Sequence, residues 1–216
     1  MKHKAVIFDL DGTLLDTLED IADSMNNVLE RLGHPIHDVE AYKYFVGSGF
    51  RNLVMKTLPE NFREDTYIDR GFSAVREEYA NRWANKTKPY PGISEMLDAF
   101  SSKGVKMAVL SNKSDDFVKL MIKKFLPRWE LDPIFGERQG IPKKPDPAGA
   151  LEIADILGVK NDECLYLGDT GVDMRTASNA GMFAVGVLWG FRKADELLEN
   201  GAEILISKPQ EALDLI

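Results

Sequence analysis

Five short segments of the chain are rich in β-branched and aliphatic residues. Strands that are buried on both faces have continuous apolar runs, so this pattern predicts a parallel sheet covered by helices. The predicted strands comprise residues 4–10, 105–111, 164–168, 184–188 and 204–206. Segments of helical periodicity alternate with the later strands, at residues 93–103, 115–125, 147–157 and 173–180. This alternation predicts an α/β fold built on a doubly wound, Rossmann-like parallel sheet.

The first two predicted strands are much further apart along the chain than a simple crossover helix requires. Apolar stripes of helical period lie between them, at residues 18–32, 50–58 and 67–83. They predict an inserted all-helical cap domain. Proline and glycine residues in segment 88–92 mark the return to the main domain. We therefore predict an α/β core of residues 1–15 and 88–216 and a helical cap of residues 16–87.

The composition is typical of a globular protein, since 44% of the 216 residues are hydrophobic and 29% are charged. A formal net charge of −8 disfavours nucleic acids and anionic membranes as partners. The single cysteine, Cys164, excludes an intrachain disulfide and is typical of a reducing compartment. The apolar runs at residues 5–8 and 183–191 are too short for a signal peptide or a membrane span. We expect a cytoplasmic protein, either a monomer or a homodimer.

Two pairs of acidic residues follow predicted strands. Asp9 and Asp11 end the first strand, and because side chains alternate along a strand the two project to the same side. Asp169 and Asp173 follow the third strand in the same way. Open α/β sheets bind ligands at the carboxyl ends of their strands, and carboxylates this close favour a hard cation such as Mg²⁺. The alternative is that these acids serve as turn and capping residues, with Asp173 as a helix N-cap.

Two further polar motifs stand beside predicted elements of the core. Ser111 and Asn112 end the second strand, where a hydroxyl and an amide can donate to phosphate oxygens, although capping explains them equally well. Lys144 precedes a helix whose start is fixed by Pro147, and the surrounding prolines stiffen its loop. The stiff loop favours a positioned cation that offsets the acidic residues.

These four motifs, in this order, resemble those of the haloacid dehalogenase superfamily, specifically its phosphatases with a helical cap. The resemblance implies that Asp9 is the nucleophile and that Asp11 is the general acid and base. It also implies that Ser111 binds the phosphate and that Lys144 neutralises charge at the site. The implied Mg²⁺ site consists of Asp9, the main-chain carbonyl of Asp11, and Asp169, with Asp173 supporting the metal shell. The core residues that we assign to substrate binding are Gly12, Thr13 and Asn112.

Segment 46–54 is similar to the phosphoglycolate phosphatase branch, in which a glycine-rich loop of the cap lets main-chain amides approach the active site. The similarity implies substrate contacts from Gly47 and Ser48, and Arg51 is a candidate partner for a substrate carboxylate. A plain interhelical turn and a solvated arginine are the structural alternatives. Ser48 stands where the branch frequently has asparagine, and Asp146 stands where it usually has a small residue. The sequence therefore leaves the substrate open.

The leading hypothesis is a Mg²⁺-dependent phosphatase that acts on a small phosphorylated metabolite through a phospho-aspartate on Asp9. A pyrophosphatase and a phosphosugar mutase of the same superfamily are alternatives with similar motifs. A dehalogenase is disfavoured, because the dehalogenases that resemble this chain lack an acid at the position of Asp11. The non-enzymatic alternative is a phospho-acceptor module, although receiver domains normally lack a helical insert of this length.

Overall fold

The computed structural model describes residues 2–216, which form two compact units. The first unit is the chain up to Leu15 together with Pro89–Ile216, and the second is Asp16–Lys88. The strands are β1 (Ala5–Phe8), β2 (Leu15–Asp16), β3 (Lys88–Pro89), β4 (Lys106–Ser114), β5 (Ile134–Glu137), β6 (Cys164–Gly168), β7 (Phe183–Val187) and β8 (Ile204–Ile206). The α-helices are α1 (Leu18–Arg31), α2 (Val39–Phe45), α3 (Phe50–Thr57), α4 (Asp65–Ala80), α5 (Ile93–Ser102), α6 (Asp115–Phe125), α7 (Ala148–Leu157), α8 (Gly171–Ala180) and α9 (Ala194–Glu199). Short 3₁₀ helices occupy Glu60–Phe62, Asn161–Glu163 and Pro209–Leu215.

The sheet of the first unit has six parallel strands in the order β5-β4-β1-β6-β7-β8. Strand β1 lies between β4 and β6, with Ala5 in register with Lys106 on one side and Cys164 on the other. From β1 the chain winds outward to β4 and β5, then returns to β6 and winds the other way. The carboxyl end of β1 is therefore the switch point at which such sheets form a ligand-binding crevice.

Helices cover both faces of this sheet. On one face, Ile7 belongs to a buried cluster with Ile153 of α7 and Met174 of α8. On the opposite face, the ring of Phe8 lies 6.2 Å from the ring of Phe100 in α5. Every residue of β1 is fully buried, which is why this strand has an unbroken apolar sequence. The predicted doubly wound α/β fold is confirmed.

Three differences from the predicted elements bear on the site. Strand β5 was not predicted, because this edge strand of four residues has one neighbour and only one buried position. Strand β4 continues to Ser114, three residues beyond the predicted end at Ser111, so Asn112 and Lys113 also lie within the strand. Helix α9 was also not predicted, since its six residues span less than two turns.

The second unit consists of helices α1 to α4 and one 3₁₀ turn. Helix α1 packs against α4, which also packs against α3. Asp20 in the first turn of α1 is buried, and its carboxylate accepts hydrogen bonds from the main-chain nitrogens of Lys86 and Thr87 and from the Thr87 hydroxyl. This carboxylate ties the end of the unit to its first helix. No helix within residues 2–216 combines the length and apolar character that crossing a membrane requires.

Candidate active site

Three carboxylates meet at the carboxyl end of the central strands. Asp9 directly follows β1, Asp169 directly follows β6, and Asp173 lies in the first turn of α8. All three side chains are buried, and one oxygen of each lies within 4.8 Å of the others. The parallel pairing of β1 with β6 brings the residues that follow these strands together, although 160 positions separate Asp9 from Asp169 in the chain (169 − 9).

The ammonium group of Lys144 lies between two of these carboxylates. Its Nζ atom donates to Asp9 Oδ1 at 2.8 Å, to Asp173 Oδ1 at 2.7 Å and to the main-chain oxygen of Leu110 at 3.0 Å. These three bonds use all three ammonium protons. Lys144 is therefore a positioned cation, as the stiff loop around it predicts.

The charges of this cluster shift the ionisation of its members. Burial and repulsion from Asp173 raise the pKa of Asp9 to about 7, against the opposing effect of Lys144. Burial, with repulsion from Asp9 and Asp173, also raises the pKa of Asp169 well above its usual range. Burial alone would lower the pKa of Lys144, but Asp173 and Asp9 outweigh it and the net shift is upward. Burial is the largest cause of the upward shifts at Asp9 and Asp169, and repulsion among the carboxylates adds to it.

The donor set fits a hard divalent cation. Asp9, Asp169 and Asp173 offer carboxylate oxygens, the ligands that Mg²⁺ prefers in proteins. The raised pKa values of Asp9 and Asp169 show that further positive charge among these oxygens would be stabilising. The carboxylate of Asp11, by contrast, lies with Lys113, so only the main chain of Asp11 stays in the predicted ligand set.

Two polar side chains of β4 bind the main chain of lysine residues near the site. The side chain of Asn112 accepts from the main-chain nitrogen of Lys144 at 2.9 Å and donates to its main-chain oxygen at 3.1 Å. Asn112 therefore fixes the backbone of Lys144, a contact that its predicted role in substrate binding did not include. Ser111 is buried beside it, and its Oγ accepts from the main-chain nitrogen of Lys113 at 3.3 Å.

The turn after β1 approaches Asp169 closely. Gly12 has a φ of 90°, and a Cβ atom there would lie 2.3 Å from Asp169 Oδ2, so only glycine fits this position. The hydroxyl of Thr13 donates to Asp169 Oδ1 at 3.3 Å. Gly12 and Thr13 thus lie at the acidic cluster, where Thr13 contacts a carboxylate, and their roles in substrate binding stay predictions.

The first turn of α8 differs from the predicted capping. The N-cap is Thr170 rather than Asp173, and the helix begins at Gly171. Asp173 Oδ2 accepts from the Thr170 hydroxyl at 2.6 Å and from its main-chain nitrogen at 3.1 Å, which forms a capping box. Asp173 therefore both caps the helix and holds Lys144, because its two oxygens face different partners.

Sequence reasoning missed the segment after β7. The indole Nε1 of Trp189 donates to the main-chain oxygen of Thr13 at 3.0 Å, and the main-chain nitrogen of Phe191 donates to Asp169 Oδ2 at 2.8 Å. A Cβ atom at Gly190 would lie 2.4 Å from the main-chain oxygen of Gly12. The apolar run that ends here indicates a buried strand and not a contact with the site.

The remaining predicted residues lie in the second unit. Gly47 and Gly49 have φ values of 121° and 85°, which supports a glycine-dependent loop around Ser48 before α3. The guanidinium of Arg51 donates to Asp65 at 2.6 Å and to Asp69 at 3.0 Å. Arg51 thus has two acidic partners in α4, and its predicted role toward a substrate carboxylate stays a prediction.

A comparison with known families identifies the chain. Residues 6–187 match the model of the haloacid dehalogenase-like hydrolases. The chain belongs to this family. The match covers most of the chain, including the acidic pairs, Ser111 and Lys144.

Individual relatives of this hydrolase match it along its whole length. A phosphoglycolate phosphatase from Aquifex aeolicus is 32% identical over 213 residues, which cover 99% of this chain and 96% of that protein. A phosphoglycolate phosphatase from Chromobacterium violaceum is 30% identical and covers 100% of this chain and 98% of its own length. The crystal structure of a protein from Lactobacillus delbrueckii subsp. bulgaricus superposes on this chain with a TM-score of 0.94 at 34% sequence identity. The superposition covers 100% of this chain and 99% of the Lactobacillus protein. These findings confirm the prediction of a phosphatase of the haloacid dehalogenase type.

Proposed function

We propose that this hydrolase is a Mg²⁺-dependent phosphatase that cleaves a small phosphorylated metabolite through a phospho-aspartate on Asp9, with 2-phosphoglycolate as its substrate. The observation that carries the proposal is the position of Asp9 at the switch point of the sheet, with Lys144 and two further carboxylates around it. The full-length similarity to phosphoglycolate phosphatases supports the choice of substrate. We place the reaction in the cytoplasm, because a single buried cysteine needs no oxidising compartment.

In the first step, a carboxylate oxygen of Asp9 attacks phosphorus while the bond from phosphorus to the leaving oxygen breaks. Asp9 must be ionised to attack, and Lys144, 2.8 Å away, favours its ionised form. The substrate phosphate is negatively charged, as is the site, so the negative charges must be neutralised before the phosphate and the Asp9 carboxylate can approach each other. Ser111, three residues before the end of β4, is the proposed hydroxyl donor to a phosphate oxygen.

Asp11 acts in both steps of the proposed mechanism. It first gives a proton to the leaving oxygen, so that an alcohol rather than an alkoxide departs. A water molecule then attacks the phosphorus of the phospho-aspartate and loses a proton to Asp11, which releases inorganic phosphate and restores Asp9. The covalent intermediate divides one difficult displacement into two easier ones.

Asp9 and Asp169 would hold Mg²⁺ together with the main-chain carbonyl of Asp11, and Asp173 would support this shell. When bound, the ion would neutralise the carboxylates and polarise the phosphate. The helical unit is the proposed cap, with Gly47, Ser48 and Arg51 as its proposed substrate contacts. Gly12, Thr13 and Asn112 are the proposed contacts of the core.

The test measures phosphate release from 2-phosphoglycolate, pyrophosphate and a panel of sugar and nucleotide monophosphates, with Mg²⁺ and with a chelator. We expect 2-phosphoglycolate to have the highest kcat/KM, and release to need both Mg²⁺ and Asp9. The Asp9→Asn variant should be inactive, because an amide is not a nucleophile here. Asp98→Asn is the matched control, since Asp98 lies in an exposed pair with Arg128.

Each part of the proposal has its own contrary outcome. If pyrophosphate were the best substrate, the assignment of 2-phosphoglycolate would be wrong and the proposed mechanism would still stand. Isomerisation of a sugar phosphate without phosphate release would favour a mutase. Turnover by Asp9→Asn at the wild-type rate would exclude the covalent mechanism, and no release from any substrate would overturn the phosphatase itself.

A further inference from the structure

Lys113 forms a close, nearly buried ion pair with Asp11. Its Nζ atom lies 2.9 Å from Asp11 Oδ1 and 3.1 Å from Asp11 Oδ2, so one ammonium group contacts both carboxylate oxygens. The side chain of Lys113 is 3% exposed and that of Asp11 is 12% exposed. None of the roles assigned above involves Lys113.

The burial of this pair argues against an incidental contact. Exposed ion pairs contribute little and form readily on surfaces, whereas burying a lysine carries a desolvation cost that its partner must offset. Lys113 also has a defined backbone position, because it lies inside β4 and its main-chain nitrogen donates to Ser111 Oγ. Strand β4 therefore fixes the Cα position of Lys113, and the carboxylate of Asp11 fixes the position of its Nζ atom.

We propose that Lys113 is a positioning residue that orients the carboxyl group of Asp11 for proton transfer. The proposal rests on the proposed function, in which Asp11 is the general acid and base. A cation that contacts both oxygens restricts rotation of the carboxyl group. When Asp11 carries its proton, one oxygen can still accept from Lys113 while the other presents the proton to the leaving oxygen. Proton transfer depends on this geometry, since misplacement of a catalytic group slows the reaction steeply.

Leaving-group dependence separates this role from a structural one. An alkyl phosphate has a poor leaving group and needs the proton of Asp11, whereas p-nitrophenyl phosphate has a good one and needs it far less. A variant that only loosens the fold loses activity toward both substrates alike. A variant that misorients the acid loses activity mainly toward the alkyl phosphate.

The experiment compares kcat/KM for 2-phosphoglycolate, or the best alkyl phosphate found, with kcat/KM for p-nitrophenyl phosphate. This constant reports the steps up to leaving-group departure and is independent of later hydrolysis. For Lys113→Met we expect a loss of about 100-fold on the alkyl phosphate, the lower end of a general acid's contribution, and a much smaller loss on the aryl phosphate. Lys119→Met is the matched control, because it removes the lysine of an exposed Lys–Asp pair in α6.

Asp11→Asn is measured in parallel so that the two ideas fail separately. If Asp11→Asn shows no leaving-group dependence, the proposed role of Asp11 is wrong. If Asp11→Asn shows it while Lys113→Met loses both activities equally or neither, the positioning role of Lys113 is wrong. Lys113→Gln keeps a hydrogen-bond donor and should show the same selectivity with a smaller loss, which provides the test if Lys113→Met does not fold.

Discussion

Trp189 donates a hydrogen bond from its indole Nε1 to the main-chain oxygen of Thr13, over 3.0 Å. The bond joins the segment after β7 to the turn that follows the proposed nucleophile. Two positions further on, the main-chain nitrogen of Phe191 donates to Asp169. One short segment therefore holds both the first acidic motif and the second, which lie far apart in the chain.

Trp189→Phe removes the indole donor but keeps an aromatic ring, and it should lower the stability of the protein. In Trp189→Phe the main-chain oxygen of Thr13 loses a partner, which costs about 1 kcal/mol, or about fivefold in an equilibrium constant. We expect a lower free energy of unfolding by this amount in urea unfolding. Trp129→Phe is the matched control, because its indole donates to Asp98 on the surface. Trp129→Phe should lose less stability because its acceptor is exposed, and an equal loss in both variants would contradict a stabilising role for the Trp189 hydrogen bond.

Gly12→Ala tests how closely the turn approaches Asp169. Two effects should destabilise this variant. Alanine is strained at a φ of 90°, and its Cβ would lie 2.3 Å from Asp169 Oδ2. Gly104→Ala introduces only the backbone strain, because the φ of Gly104 is 69° and no atom lies within 4 Å of the added Cβ. We expect Gly104→Ala to lose about 1–3 kcal/mol of stability in urea unfolding and to keep its activity. Gly12→Ala should lose more stability and its Mg²⁺ response, and similar behaviour of the two variants would refute the close approach.

Mg²⁺ should stabilise the protein through Asp169. At about 100 times its dissociation constant a ligand adds about 2.7 kcal/mol, which for a chain of this size raises the Tm by about 5–10 °C. The Tm is measured with Mg²⁺ and with a chelator. We expect the rise in Tm in the wild type and its loss in Asp169→Asn. Asp98→Asn should respond to Mg²⁺ as the wild type does, because Asp98 is exposed. A full Mg²⁺ response in Asp169→Asn would place the metal elsewhere.

The thiol of Cys164 should be unreactive in the folded protein. Burial, with repulsion from Glu163 and Asp162, raises its pKa from 9.0 to about 11. A shift of this size lowers the thiolate fraction at pH 8 by about 100-fold, so labelling by a disulfide reagent should be slower by at least that factor than in urea. Because the folded pKa is the higher one, the group favours folding below pH 9, and this contribution is lost as the pH rises through 11. Cys164→Ala should lack that part of the alkaline loss of stability, and fast labelling of the native thiol would contradict the shift.

The acidic residues were predictable because their position depends on a local rule. Side chains that follow parallel strands meet at the carboxyl edge of the sheet, so Asp9 and Asp169 were expected together once their strands were recognised. Lys144 was predicted from the proline-rich loop around it. The pairing of Asp11 with Lys113 was not predicted, because the orientation of a side chain in the turn after a strand follows from packing and not from spacing.

The sequence by itself determined the doubly wound α/β fold, most strands and helices of its core, and the family. Apolar periodicity and motif spacing are local properties, and each is readable within a few tens of residues. Only the tertiary structure decided which charges pair, which oxygen of Asp173 faces Lys144, and that Trp189 and Phe191 donate hydrogen bonds to Thr13 and Asp169. These contacts join residues from different strands, and their geometry depends on sheet register and on the burial of each group, which no local pattern encodes.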